Sequence, residues 1–283
     1  MAEKIAILVD SGSDLPEELT TKYSIMTMNL RIVYGNEVFE DGKDISPQMV
    51  YERFPQQIPK TSTPNLLEVK DAVEQIRQKG YRKLIAVCIS SGLSGTYNTV
   101  KTALGEFTDM ETFVFDSRNI SIGTGMFALW AARAVQDGMA FADITNGLLQ
   151  RRQRCKIYFY MDTLEYLRAG GRIGKITGII GKVLGIRPII SCNEEGVYYT
   201  VSMLRGRASG VRRLLEIVKK NEPAEKNWIA LMNGDAEEQA QNVRLELAEL
   251  FPDSKLIVDK QIVASLAVHT GPGLIGICMF PCD

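Results

Sequence analysis

The stretch Leu84-Ile85-Ala86-Val87-Cys88-Ile89-Ser90-Ser91-Gly92-Leu93-Ser94-Gly95-Thr96 changes character halfway along. Its apolar first half reads as a strand buried on both faces, the mark of a parallel sheet under helices. Serines, glycines and a threonine follow, and helical spacing resumes from about Thr96 to Leu104. Strand, polar loop and helix make a βα unit. Such a loop offers hydroxyls, backbone N–H groups and a helix N-terminus together, which suits an anionic group. It is also the composition of an ordinary turn and N-cap, so the neighbouring segments decide its meaning.

Upstream, Lys4–Val9 is another apolar run, ending in Asp10-Ser11-Gly12-Ser13-Asp14. Asp14 is expected to cap the next helix, with Glu17 closing a capping box. Met26–Val33 and Glu37–Phe39 read as strands around Gly35-Asn36. In Thr61-Ser62-Thr63-Pro64-Asn65, Thr63 is expected as the N-cap of a helix running to Lys79; Thr61 and Ser62 are surplus to capping. Downstream, Glu111–Phe115 is a strand ending in Asp116-Ser117, and helices span 123–137 and 141–152. The strands ending at Asp10, Ser90 and Asp116 would place their polar loops at one sheet edge, where open α/β sheets bind ligands.

The second half reads as mixed α/β. Strand Ile157–Met161 and short helix Thr163–Arg168 precede an apolar helix, Ile176–Leu184. A hairpin joins 187–192 to 197–201. Helices 208–220 and 236–250 alternate with strands 228–232 and 255–258, and Val268-His269-Thr270-Gly271-Pro272-Gly273 precedes a last strand. The expected architecture is two α/β domains. Residues 1–156 carry a mostly parallel sheet covered by helices, and residues 157–283 form a mixed domain.

Composition excludes several classes. The chain has 33 basic and 34 acidic residues and a formal net charge of −1, which offers no footprint for nucleic acid. The run Arg151-Arg152-Gln153-Arg154 reads as a solvated helix end. Five scattered cysteines show no metal-ligand spacing and fit reduced thiols in a cytoplasmic protein. No apolar run approaches the length of a membrane span.

Six separated motifs occur in order: Val9-Asp10-Ser11 with Ser13-Asp14-Leu15; Thr61-Ser62-Thr63-Pro64; Ser90–Thr96; Tyr166-Leu167-Arg168-Ala169-Gly170-Gly171-Arg172-Ile173; Lys182–Ile189; and His269–Gly273. Together they resemble the DegV family across essentially the whole chain. The resemblance implies a two-domain α/β carrier, not itself an enzyme, that binds one long-chain fatty acid. It implies a carboxylate held by Thr61 or Ser62, and by Ser94, with His269 nearby, and a tail in an apolar tunnel. It further implies a partner kinase subunit that phosphorylates the carboxylate to an acyl phosphate for phospholipid synthesis. Arg172 and Arg205 match arginines that engage the kinase or the phosphoryl group, although Arg207 competes with Arg205 for that match. No cofactor or metal is expected, and membrane contact, if any, is transient.

The chemistry is consistent with that implication. Hydroxyl donors satisfy a carboxyl group whose unpaired burial would cost several kcal/mol. About 14 buried methylenes contribute ~11 kcal/mol before ordering costs. Phe159, Met161, Ile176, Ile179 and Ile180 are candidate tunnel residues. The alternative reading is a serine hydrolase acting on acyl esters, with Ser94 as nucleophile and His269 as base. Gly92-Leu93-Ser94-Gly95 lacks the nucleophile-elbow spacing. A nucleotide or phosphosugar binder would need a glycine-rich fingerprint or a phosphate-loop lysine, and neither occurs. A ligand-free interaction domain is the remaining reading.

Overall fold

The computed structural model describes residues 4–54, 56–174, 186–205, 210–222 and 226–282. The expected apolar helix 176–184, with Ile176, Ile179 and Ile180, lies outside the described residues, as does Arg207.

A four-stranded parallel sheet has the order β2-β1-β6-β7, where β1 is Ile5–Asp10, β2 Ile25–Met28, β6 Lys83–Cys88 and β7 Glu111–Asp116. Alternation along β1 and β6 divides the side chains between two cores. Ile5, Ile7, Val9, Ile85 and Val87 face one, and Ala6, Leu8, Leu84, Ala86 and Cys88 face the other. Helices α3 (Leu66–Gln78) and α4 (Thr96–Leu104) cover the second face through Val69, Val73, Ile76, Val100 and Ala103. The first face receives α5 (Ile122–Gln136), almost every residue of which is buried. Both faces are thus covered, and this is why the strands read as continuous apolar runs.

The second sheet has six strands in the order β10-β9-β8-β13-β11-β12. These are β8 (Lys156–Tyr160), β9 (Ile186–Cys192), β10 (Tyr198–Arg205), β11 (Asn227–Gly234), β12 (Lys255–Gln261) and β13 (Leu274–Pro281). Every pair is antiparallel except β11–β12. Helices α8 (Gly210–Asn221) and α9 (Glu237–Leu250) cover one face. The other face meets α5, where Phe127 sits 5.1 Å from Phe115 of β7 and 5.2 Å from Phe280 of β13, ring centre to ring centre. One helix therefore joins the two sheets through a shared core.

Three local expectations are corrected. The strand expected over 26–33 is broken at Asn29-Leu30. Leu30 N donates to Ser11 Oγ (3.0 Å) and Leu30 O accepts from Asp41 N (2.9 Å), so the chain leaves one ladder and starts another as β3, Arg31–Tyr34. Asp14 does not cap α1 (Glu17–Lys22). It takes a left-handed backbone at φ 56°, and its buried carboxylate accepts from Ser121 Oγ and from Val263 N. Thr63 does not cap α3; Asn65 does, in a reciprocal capping box with Glu68. Residues Lys60–Ser62 are thereby free to form β5, the third strand of a small antiparallel sheet β4-β3-β5 with β4 at Glu37–Glu40.

Candidate functional site

The carboxyl ends of β1, β6 and β7 lie side by side, and the loops that follow them differ in what they do. Asp10 turns inward, accepting from Ile89 N at 2.9 Å. Ser90 is buried, donates to Gly196 O at 2.7 Å and accepts from Gly92 N at 3.1 Å, tying the loop to the turn between β9 and β10. Ser91 donates to Asp116 at 2.5 Å. Ser94 lines a cavity. Its hydroxyl shares a 2.9 Å bond with Thr96 Oγ1 and accepts from Thr96 N at 3.3 Å, so it also helps start α4.

Opposite Ser94 stand β5 and a short helix, α10 (Ala264–Thr270). No element is expected from the sequence just before the last strand, yet His269 sits on a helix there. His269 Nε2 lies 2.8 Å from Thr61 Oγ1. Burial first, and the Arg172 charge second, push the His269 pKa down to about 4, so the imidazole is neutral near pH 7. Its Nδ1 is buried and has no hydrogen-bond partner among the described residues. A Cβ added to Gly170 would stand 2.1 Å from that Nδ1, which makes glycine necessary there. Arg172 NH1 donates to Gly170 O at 2.7 Å, and its Nε points at Leu93 O, 3.5 Å away.

Two buried carboxylates hold α10 in place. Asp14 accepts from Val263 N at 2.6 Å. Asp41 accepts from Ser265 N at 3.1 Å, Ser265 Oγ at 2.5 Å and Ser11 Oγ at 2.8 Å. Burial raises both carboxyl pKa values, that of Asp14 to about 6, against these hydrogen bonds, which favour the charged form. The far end of the same helix carries His269 and Thr270 to the cavity.

That cavity is lined by Thr61, Ser62, Thr63, Ser94, Arg172 and His269 together with apolar side chains. A second cavity is lined mainly by Phe159, Met161, Leu167, Ile190, Ile262 and Leu274. Ile120, Tyr198, Leu266 and Thr270 belong to both walls, so the cavity that carries the hydroxyls and the imidazole adjoins an apolar one. The structure therefore brings Thr61, Ser62, Ser94, His269 and Arg172 together. Arg205 lies elsewhere, exposed at the end of β10 and lining neither cavity. Tyr198, Thr270, Ser265 and Asp41 went unnoticed in the sequence. Asp41 and Ser265 bond each other across 224 positions, Thr270 lies on the unexpected helix α10 and Tyr198 on strand β10, and no local pattern marks them.

Ser94 and His269 do not form a nucleophile–base pair. Ser94 bonds Thr96, His269 bonds Thr61, and no carboxylate among the described residues orients Nδ1. No group of metal-ligating side chains, and no helix long and apolar enough to cross a membrane, occurs among the described residues.

Comparison with known proteins agrees with this architecture. The family model described as uncharacterised protein, DegV family, matches residues 4–282. A DegV domain-containing protein of Clostridium acetobutylicum is 36% identical over 278 residues, covering 98% of this chain and 99% of its own. Among solved structures, DegV of Bacillus subtilis, described as a fatty acid binding protein, is 25% identical with a TM-score of 0.89 over 99% of both chains. A stearic acid-binding protein of Eubacterium ventriosum is 26% identical, with a TM-score of 0.89 over 99% of this chain and 98% of its own. With the match running from residue 4 to residue 282 and a relative well above 30% identity, the chain belongs to the DegV family.

Proposed function

We propose that this protein binds one long-chain fatty acid and presents its carboxylate to a kinase subunit. The observation that carries the reading is the pair of adjoining cavities, one lined by hydroxyls and a neutral imidazole and the next by apolar side chains. A fatty acid has that polarity and in that order. The relatives described as fatty acid and stearic acid binders support the same ligand class.

The carboxylate accepts from Thr61 or Ser62 and from Ser94. His269 can turn an N–H toward it without bringing a fixed charge, and Arg172 supplies the cation at the chamber wall. The tail runs past Ile120 and Tyr198 toward Phe159 and Met161. Tail burial dominates affinity at about 0.8 kcal/mol per methylene, and the polar contacts select a carboxyl end. Phosphoryl transfer joins a carboxylate oxygen to the γ-phosphorus of ATP and releases ADP. The kinase subunit performs that step in the cytoplasm. Arg172 steadies the transferring phosphoryl group, and the exposed Arg205 meets the kinase.

Reconstitution tests this division. Ligand-loaded protein, ATP and a fatty acid kinase subunit are incubated with hydroxylamine, which traps acyl phosphate as a hydroxamate. Arg172→Ala is expected to keep its ligand and to slow hydroxamate formation about tenfold or more, the loss of a charge-assisted contact. Ser94→Ala is expected to retain less ligand. An Arg172→Ala protein that is empty, beside a fully loaded Ser94→Ala protein, would overturn the assignment.

A further inference from the structure

The segment after β7 has two sides. Ile120 faces the acyl cavity, whereas Arg118 and Asn119 line a separate hollow with Arg152, Lys156, Asn193 and Glu194. Arg152 belongs to the basic run that reads as a solvated helix end, but it is half-buried, and its Nε is buried with no hydrogen-bond partner among the described residues. The Arg152 guanidinium lies 5.9 Å from the centre of the Phe115 ring, as the Arg151 guanidinium lies 4.1 Å from that of Trp130, but only Arg152 lines the hollow. Burial and the charge of Arg118 both disfavour the charged form of Arg152. Two guanidinium groups thus line one hollow, and the Nε of one of them has no hydrogen-bond partner among the described residues, although the charge of Asp116 favours its charged form.

The acidic groups nearby do not resolve this. Asp116 already accepts from Ser91 Oγ and N and from Arg118 N. Glu222 lies in the field of Lys156, and Glu194 is the acidic side chain on the wall itself. Arg118 is built into place: its backbone is left-handed at φ 50°, and its NH1 donates to Glu194 O at 2.9 Å. Holding a like-charged pair together costs free energy that a doubly charged, many-oxygen ligand would offset.

We infer that the hollow walled by Arg118, Arg152 and Lys156 is a binding site for a phosphate dianion, either inorganic phosphate or the monoester head of a lipid. This site is separate from the fatty acid chamber and does not depend on it. Calorimetric titration with inorganic phosphate at constant ionic strength, and sedimentation with phosphatidylcholine vesicles with and without phosphatidate, test it on wild type, Arg118→Gln and Arg152→Gln. Saturable phosphate binding weakened about tenfold or more in both variants supports the site with free phosphate as its source. Binding only to phosphatidate vesicles, lost in both variants, supports it with a lipid head as the source. Melting temperature provides a second readout. Arg152→Gln should melt no lower than wild type without phosphate and should lose the increase that phosphate gives wild type. Absence of binding to either probe, unchanged binding in Arg152→Gln, or a lower melting temperature of that variant without phosphate would each overturn the proposal.

Discussion

Thr61 and His269 are 208 positions apart in the chain and meet at 2.8 Å, Oγ1 to Nε2. β5 brings the threonine and α10 the histidine. Asp14 and Asp41, both near the N-terminus of the chain, grip the start of α10. The polar chamber is therefore assembled from both ends of the sequence around one short helix.

The Thr61–His269 contact gives the first prediction. Thr61→Val keeps the side chain's shape and removes its hydroxyl. Affinity for a long-chain fatty acid, read by displacement of a fluorescent analogue, should fall roughly tenfold to a hundredfold, the share of one or two hydrogen bonds to a charged group. Unchanged affinity would remove Thr61 from the head-group site.

Protonation of His269 sets the second. Its folded pKa of about 4 lies below the ordinary 6.5, so folding excludes a proton that the unfolded chain takes up. This contribution to stability is whole above pH 6.5 and is lost as the pH falls toward 4. Asp14 works in the opposite sense. Raised from 3.8 to about 6, it favours the fold at low pH and gives that up as the pH rises through 6. Subtracting a His269→Gln series from wild type isolates the histidine. The difference in unfolding free energy should shrink by up to about 1.4 kcal/mol per pH unit below 6.5. A flat difference would mean that the fold accepts a charged His269.

Asp41→Ala should be costly. It strands Ser11, the Ser265 hydroxyl and the Ser265 N–H in a buried setting. Chemical denaturation should show a loss of about 2–4 kcal/mol, and fatty acid retention should fall with it as α10 loosens.

At the join between chambers, Ile120→Trp should obstruct the tail's path, because Ile120 lines both cavities. The bound fatty acids should shift to shorter chains in mass spectra. An unchanged length profile would place the tail elsewhere.

The parallel sheet was legible because its strands are covered on both faces and so are continuously apolar, as Leu84–Ile89 is. Motif order singled out Ser94, Thr61 and His269, which line one cavity. The hydrogen bonds around them were not legible, because Ser90 donates its hydroxyl to Gly196 O and the Asp14 carboxylate accepts from Val263 N, partners remote in sequence. Capping shows the same limit. Thr63 and Asn65 both suit an N-cap, and the choice fell to Asn65 because β5 pairs with β3 just upstream. α10 was hidden by its brevity and by the Gly271-Pro272-Gly273 turn beside it.

The central claim is that the two cavities hold a fatty acid, and mass spectrometry of the purified protein under native and denaturing conditions tests it directly. The account predicts a native mass exceeding the denatured mass by one long-chain fatty acid, released intact on unfolding. Equal masses in both conditions, persisting after incubation with long-chain fatty acids, would contradict it.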